Sequence, residues 1–138
     1  MRLILAACLA TLAACAPDAP PEAERIDGID WKLMAVGGAA YGFDVSLRLD
    51  GGRLSGIAPC NVYAARRAGA APDFAASHIT ATEMACAEPA RQRAESDYLT
   101  ALGRADRIAR EGAGLVLTGP GGLRLDFAPR EARGDEVF

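Results

Sequence analysis

The sequence holds a single histidine, His78, and four cysteines. A structural zinc centre takes four ligands at close spacing, and no such cluster stands along the chain. No metal is expected, and no cofactor. The sequence also lacks a hydrophobic run of the roughly 20 residues that cross a bilayer as a helix. Its apolar opening, Leu3 to Leu12, is too short for that. Positive charge is not in excess: 15 Lys and Arg stand against 18 Asp and Glu, a net of −3. That balance argues against a nucleic-acid partner or a polybasic membrane surface. Hydrophobic residues make up 51% of the chain, but much of that is alanine, so large core formers are scarce. No internal repeat of roughly 20–50 residues is visible, which argues against a solenoid or propeller.

What is present begins with a signal. Arg2 supplies a short positive start, the apolar run follows, and Leu12-Ala13-Ala14-Cys15 closes it. This order reads as a secretory signal. Its last four residues have the form of a bacterial lipobox: a branched aliphatic residue, two small residues that let a peptidase reach the backbone, and a thiol that accepts the lipid. The alternative is an ordinary signal cut nearby, with Cys15 incidental. Residues 1–14 are therefore expected to be removed, and Cys15 to be lipidated. Residues 15–25, rich in Pro and Ala, read as an extended tether. No aspartate follows Cys15, which favours the outer membrane, facing the periplasm. The folded domain is placed at 26–129, with a loose charged tail at 130–138. That tail contains Arg133-Gly134-Asp135, an adhesion-type tripeptide that reads as chance.

About 100 residues form one small domain with a thin core, for which a covalent staple is useful. Cys8 lies in the signal and Cys15 takes the lipid, which leaves Cys60 and Cys86. Oxidising conditions outside the cytoplasm favour their pairing. The bond closes a loop of about 26 residues and contributes about 3–4 kcal/mol in the chain-entropy model. Two free structural thiols, or a thiolate activated by His78, remain the alternatives.

Gly28 to Val36 reads as a strand with Trp31 and Leu33 on one face. Val45, Leu47 and Leu49 alternate with polar residues, Asp50-Gly51-Gly52 turns the chain, and Leu54 and Ile57 return. Gly56 within that return suggests a bulge or a close backbone approach. Cys60 to Gly69 reads as a short strand anchored by Val62 and Tyr63, with Asn61 as a turn or backbone-capping residue. Phe74, Ile79 and Met84 are expected to point inward. Ala87 to Glu111 reads as a helix with Pro89 in its first turn. Ala94, Tyr98, Leu102 and Ala105 lie on its inner face, and Arg91, Arg93, Asp97, Arg104 and Arg107 on its solvent face. Leu115 to Phe127 reads as a closing hairpin. The expected fold is mainly β, of the α+β kind: a small antiparallel sheet or barrel packed by one helix and stapled by one disulfide.

Several short motifs fall in a familiar order. They are Trp31-Lys32-Leu33, then Leu54-Ser55-Gly56 ahead of Cys60-Asn61-Val62-Tyr63, then Thr82-Glu83-Met84-Ala85-Cys86. Glu95, Tyr98-Leu99 and Leu102 follow in the helix, and Leu115-Val116-Leu117 with Leu123 to Phe127 at the end. Together they resemble the META-domain proteins, the HslJ-like family of bacterial envelope proteins. The resemblance implies a compact β domain with one helix and no established enzymatic activity. It also implies links to heat-shock response, outer-membrane integrity and resistance to a hydrophobic antibiotic. It supplies no catalytic residues. Ala58-Pro59 departs from the pattern, because relatives often carry a glycine before the cysteine.

Three functions stand against one another. The first is a non-enzymatic envelope lipoprotein, a monomer held to the membrane by its N-terminal lipid and acting on an unidentified envelope protein. The second is a binding module: a small barrel holding an apolar ligand in a cavity lined by Trp31, Phe43, Tyr63 and Phe74, or an inhibitor of a cell-wall hydrolase. The third is an enzyme built on carboxylates such as Glu83, Glu88 and Asp97, or on His78 as a base. Nothing in the sequence pairs those residues.

Overall fold

In the computed structural model the described residues are 24–131. The signal segment, Cys15, most of the tether and nearly all of the charged tail, Arg133-Gly134-Asp135 included, lie outside them. Nine strands form, most of them on an alternation of inward apolar and outward polar residues. These are β1 (Asp30–Val36), β2 (Ala39–Ala40), β3 (Ser46–Asp50), β4 (Arg53–Ile57), β5 (Val62–Ala68) and β6 (Ala75–Ala81), then β7 (Arg107–Glu111), β8 (Gly114–Gly119) and β9 (Leu123–Pro129). Among the described residues a single α-helix, α1 (Pro89–Arg104), separates β6 from β7.

All pairings are antiparallel, in the order β6-β5-β4-β3-β1-β9-β8-β7, with β2 folded back on β1. The first and last long strands therefore lie side by side in the middle of the sheet. The sheet curls into a half-barrel. Its two margins meet just before β6, where Phe74 N–H donates to the Asp106 carbonyl at 2.9 Å and Ile108 N–H to the Pro72 carbonyl at 2.9 Å. Helix α1 packs across β6 and covers the rest of the opening.

The concave face forms one cluster. Trp31, Leu33, Leu47, Leu49, Leu54, Leu115, Leu117 and Leu125 are essentially without solvent contact, and Leu102 and Tyr98 close over them from α1. Trp31 Nε1 donates to the Ile26 carbonyl at 3.1 Å, and the Arg110 guanidinium lies 4.9 Å from the centre of its ring. An indole buried with its one donor satisfied and a cation over its face is a strong anchor.

The structure corrects four expectations. The helix ends at Arg104 rather than continuing to Glu111: Arg107–Glu111 alternates, buries Ile108 and pairs with β8, so the closing element is a three-stranded meander. Val62 is exposed, because the period of two in β5 sends Tyr63 and Ala65 inward. Met84 is exposed as well, at 65%, because the chain has left the sheet at Ala81. Arg91 is half-buried rather than on the solvent face: it donates to the Pro59 carbonyl at 2.8 Å and sits over the Phe43 ring.

Candidate functional site

The motif residues converge where β4 turns into β5. Ala58 N–H donates to the Asn61 carbonyl at 2.7 Å, so residues 58–61 form a tight reversal between the two strands. Such a reversal leaves backbone donors pointing out of the sheet. A buried, unpaired N–H costs about 1–3 kcal/mol, and here a carboxylate from the helix takes them. Glu95 Oε2 accepts the N–H of Cys60 at 2.8 Å and of Asn61 at 2.7 Å, and its Oε1 accepts Asn61 Nδ2 at 2.7 Å. The Asn61 Oδ1 then accepts Thr82 Oγ1 at 3.0 Å and the Met84 N–H at 2.8 Å. One buried asparagine thus joins the β4–β5 turn, the helix and the segment leading from β6 to the helix.

The disulfide reinforces this seam. Cys60 and Cys86 are bonded, with Cα atoms 5.7 Å apart across 26 residues of sequence. It joins two of the segments that Asn61 joins, the β4–β5 turn and the stretch leading from β6 to the helix. A depression of about 450 Å³ opens over the junction, lined by Asn61, Thr82, Met84, Cys86, Gln92 and Glu95 among others.

Behind the seam, Gly56 is obligatory for a steric reason. A Cβ there would lie 1.9 Å from the Ser46 carbonyl oxygen. The register of β4 on β5 is unbroken at Gly56, so the glycine marks a close approach and not a bulge. The same Ser46 oxygen accepts the Tyr63 hydroxyl at 2.8 Å, and the Tyr98 hydroxyl lies 2.7 Å from that of Tyr63. Since Tyr63 donates to Ser46, Tyr98 donates to Tyr63. Burial pushes both phenols well above the ordinary range.

Of the residues picked out in the sequence, Cys60 and Cys86 come together, and Asn61 caps backbone as expected. Trp31, Tyr63 and Phe74 are buried in the core, and Phe43 is half-buried at its margin. Two ring contacts involve members of this set, pairing Tyr63 with Tyr98 and Phe43 with Tyr41. Glu83, Glu88 and Asp97 are exposed. Among the described residues no group of three or more His, Cys, Asp or Glu is placed to hold a metal. Sequence reasoning missed the structural role of Glu95. The signal was its position, three residues before Tyr98 and seven before Leu102, which puts an acid on the helix's apolar face.

These positions coincide with a known pattern. A family model, the META domain, matches residues 24–132. The chain belongs to the META domain family. No curated protein matches the chain significantly. Two solved structures share the fold. One is the NMR structure of a protein from Burkholderia xenovorans, at 22% identity and a TM-score of 0.65, covering 89% of this chain and all of that one. The other, also determined by NMR, has 16% identity and a TM-score of 0.60, covering 75% of this chain and 91% of its own. The half-barrel is thus a fold that this chain shares with both structures. In this META domain the seam of Glu95, Asn61, Thr82 and the disulfide locks its one helix to the sheet.

Proposed function

We propose that this META-domain chain is a non-enzymatic lipoprotein of the cell envelope, anchored through Cys15 in the outer membrane and facing the periplasm. In this reading it supports stress tolerance or outer-membrane integrity through contacts with another envelope protein. The observation that carries the reading is an apolar group standing in solvent beside the locked seam. Ile57 and Val62 are partners across β4 and β5, and both are exposed, as is Met84 on the segment tied to Asn61. Exposed apolar side chains grouped on a rigid frame are a common feature of contact surfaces. The polar groups beside them are already engaged: both Glu95 carboxylate oxygens and the Asn61 Oδ1 hold other parts of the fold. That arrangement suits a mechanical role for the seam better than acid–base chemistry, which needs a free group within reach of a substrate.

The reading is tested in envelopes. A photo-crosslinking residue in place of Val62 or Met84 should capture a discrete partner, while one in place of Arg93, on the opposite side of the helix, should not. Membrane-extracted protein should carry lipid on Cys15. A soluble, unmodified product would remove the anchor, and equal capture at all three positions would remove the contact surface. An apolar ligand inside the barrel has less support, because Trp31, Tyr63 and Phe74 are taken up by the core. An inhibitor of a cell-wall hydrolase would use the same surface, and the identity of the captured partner decides it.

A further inference from the structure

The opposite end of the β4–β5–β6 face carries a different feature. Arg53 on β4 and Arg66 on β5 are direct partners across the two strands, and both are exposed. Like charges directly opposite one another destabilise a sheet. Arg48, Arg67, Arg107, Arg124 and Arg130 each lie within 4.0 Å of a carboxylate, whereas among the described residues Arg53 and Arg66 do not. Asp50 stands across from Arg53 on β3, but its Oδ2 accepts Arg48 Nε at 3.0 Å. Next to the pair, the register of β5 on β6 shifts between Ala64 and Arg66. The extra residue includes His78, whose φ of 52° makes it the one non-glycine residue with positive φ among those described. A bulge of this kind re-aims a side chain. The result is that Arg53, Arg66 and His78 line one depression of about 320 Å³, with Thr80 and the small side chains Ala64 and Ala65 completing it.

We propose that Arg53, Arg66 and His78 form a binding site for a phosphate-type oxyanion. Two guanidinium groups supply planar donor pairs matched to phosphate oxygens. The imidazole adds a third donor, and the alanines leave room for the anion between them. An anion held there offsets the repulsion that the bare pair carries. The chain enters the domain at this end of the sheet: Asp27 Oδ2 accepts the N–H of Gly51, and its Oδ1 pairs with Arg67, the neighbour of Arg66 in β5. The nine peptide links from Cys15 to Glu24 reach at most about 30 Å. A lipid on Cys15 would therefore hold the site near membrane headgroups, and a headgroup phosphate is the source we assign to the anion. That assignment rests on the anchored reading; the oxyanion site itself rests on the barrel alone.

The test uses the full chain carrying Cys15→Ser, so that lipid does not contribute. His78 is the only histidine, so its imidazole NMR signals report on the site. Inorganic phosphate should move them saturably, and R53Q/R66Q should weaken binding by about tenfold or more. Signals that do not move at millimolar phosphate, or an unchanged affinity in the double variant, would overturn the site. Trp31 fluorescence confirms that each variant is folded, and the single variants R53Q and R66Q serve if the double one is not. Sedimentation with vesicles then identifies the source. Retention on phosphatidylglycerol but not phosphatidylcholine, lost in R53Q/R66Q, supports the headgroup. Phosphate binding without retention keeps the site and overturns the headgroup as its source. Neither result depends on whether Cys15 is lipidated in the cell.

Discussion

The two sides of this half-barrel are held together by different means. On the β1–β9–β8–β7 side, large apolar residues recur at every second position, and Leu33, Leu115, Leu117 and Leu125 are fully buried. On the β4–β5–β6 side several inward positions are filled by small residues such as Gly56 and Ala65, with Leu54 and Tyr63 the large exceptions. There the chain supplies a disulfide, a carboxylate that receives three donors, a buried asparagine and a pair of tyrosine hydroxyls. Where alanine replaces leucine, less area leaves water, and each buried methylene is worth roughly 0.8 kcal/mol. Directed bonds make up the difference, and they also fix the helix at one angle to the sheet, which non-directional burial does not.

This contrast can be broken at defined points. The largest effect is expected from Leu117→Ala on the apolar side, with a loss of about 4 kcal/mol, because a fully buried leucine leaves a cavity in a continuous cluster. Denaturant unfolding followed by Trp31 fluorescence measures it. A loss under about 1 kcal/mol would mean that this side repacks freely. Next comes the covalent link. Replacing Cys60 and Cys86 with alanine together should cost about 3 kcal/mol, for a closed loop of 26 residues. If the pair of substitutions leaves the midpoint unchanged, the seam stands without its covalent bond.

Glu95→Ala should cost about 2 kcal/mol, because the N–H groups of Cys60 and Asn61 lose their acceptor. Hydrogen exchange at those two amides should rise with it. Protection that survives the substitution would show that another group takes the donors.

The smallest effect at neutral pH is expected from Tyr98→Phe, about 1 kcal/mol for one lost hydrogen bond. Its pH dependence is more telling. Both phenols have folded pKa values above those of the unfolded chain. The folded state therefore keeps protons that the unfolded state releases above about pH 10, and stability falls as pH rises past that point. The slope approaches about 1.4 kcal/mol per pH unit for each tyrosine. Burial raises Tyr41 as well, so Tyr98→Phe should remove one of three contributions, and the alkaline loss becomes shallower. An identical slope in the variant would show that Tyr98 is not the group titrating.

The strands and the site were legible to different degrees. The leucine alternation of β3, β8 and β9 reads directly, because a period of two along five to seven residues has one structural meaning. The Gly56 close approach and the Cys60–Cys86 pair also read from the sequence, the first from a glycine inside a strand and the second from the cysteine count. Residues 107–111 misled, because five residues joined to a helix of the right period do not reveal a change of period. Met84 and Val62 misled because hydrophobicity marks a side chain as apolar but not as inward.

Local pattern by itself determined that this chain builds a small antiparallel β domain with one helix, since periodicity, turn glycines and helix-starting proline act over a few residues. Tertiary structure alone decided which polar residues matter. Glu95 lies 34 residues from the Asn61 N–H it accepts, and Arg53 lies 13 residues from Arg66 and 25 from His78 along the chain. A carboxylate or a guanidinium takes its role from the partner brought to it, and that partner is chosen by how the sheet closes.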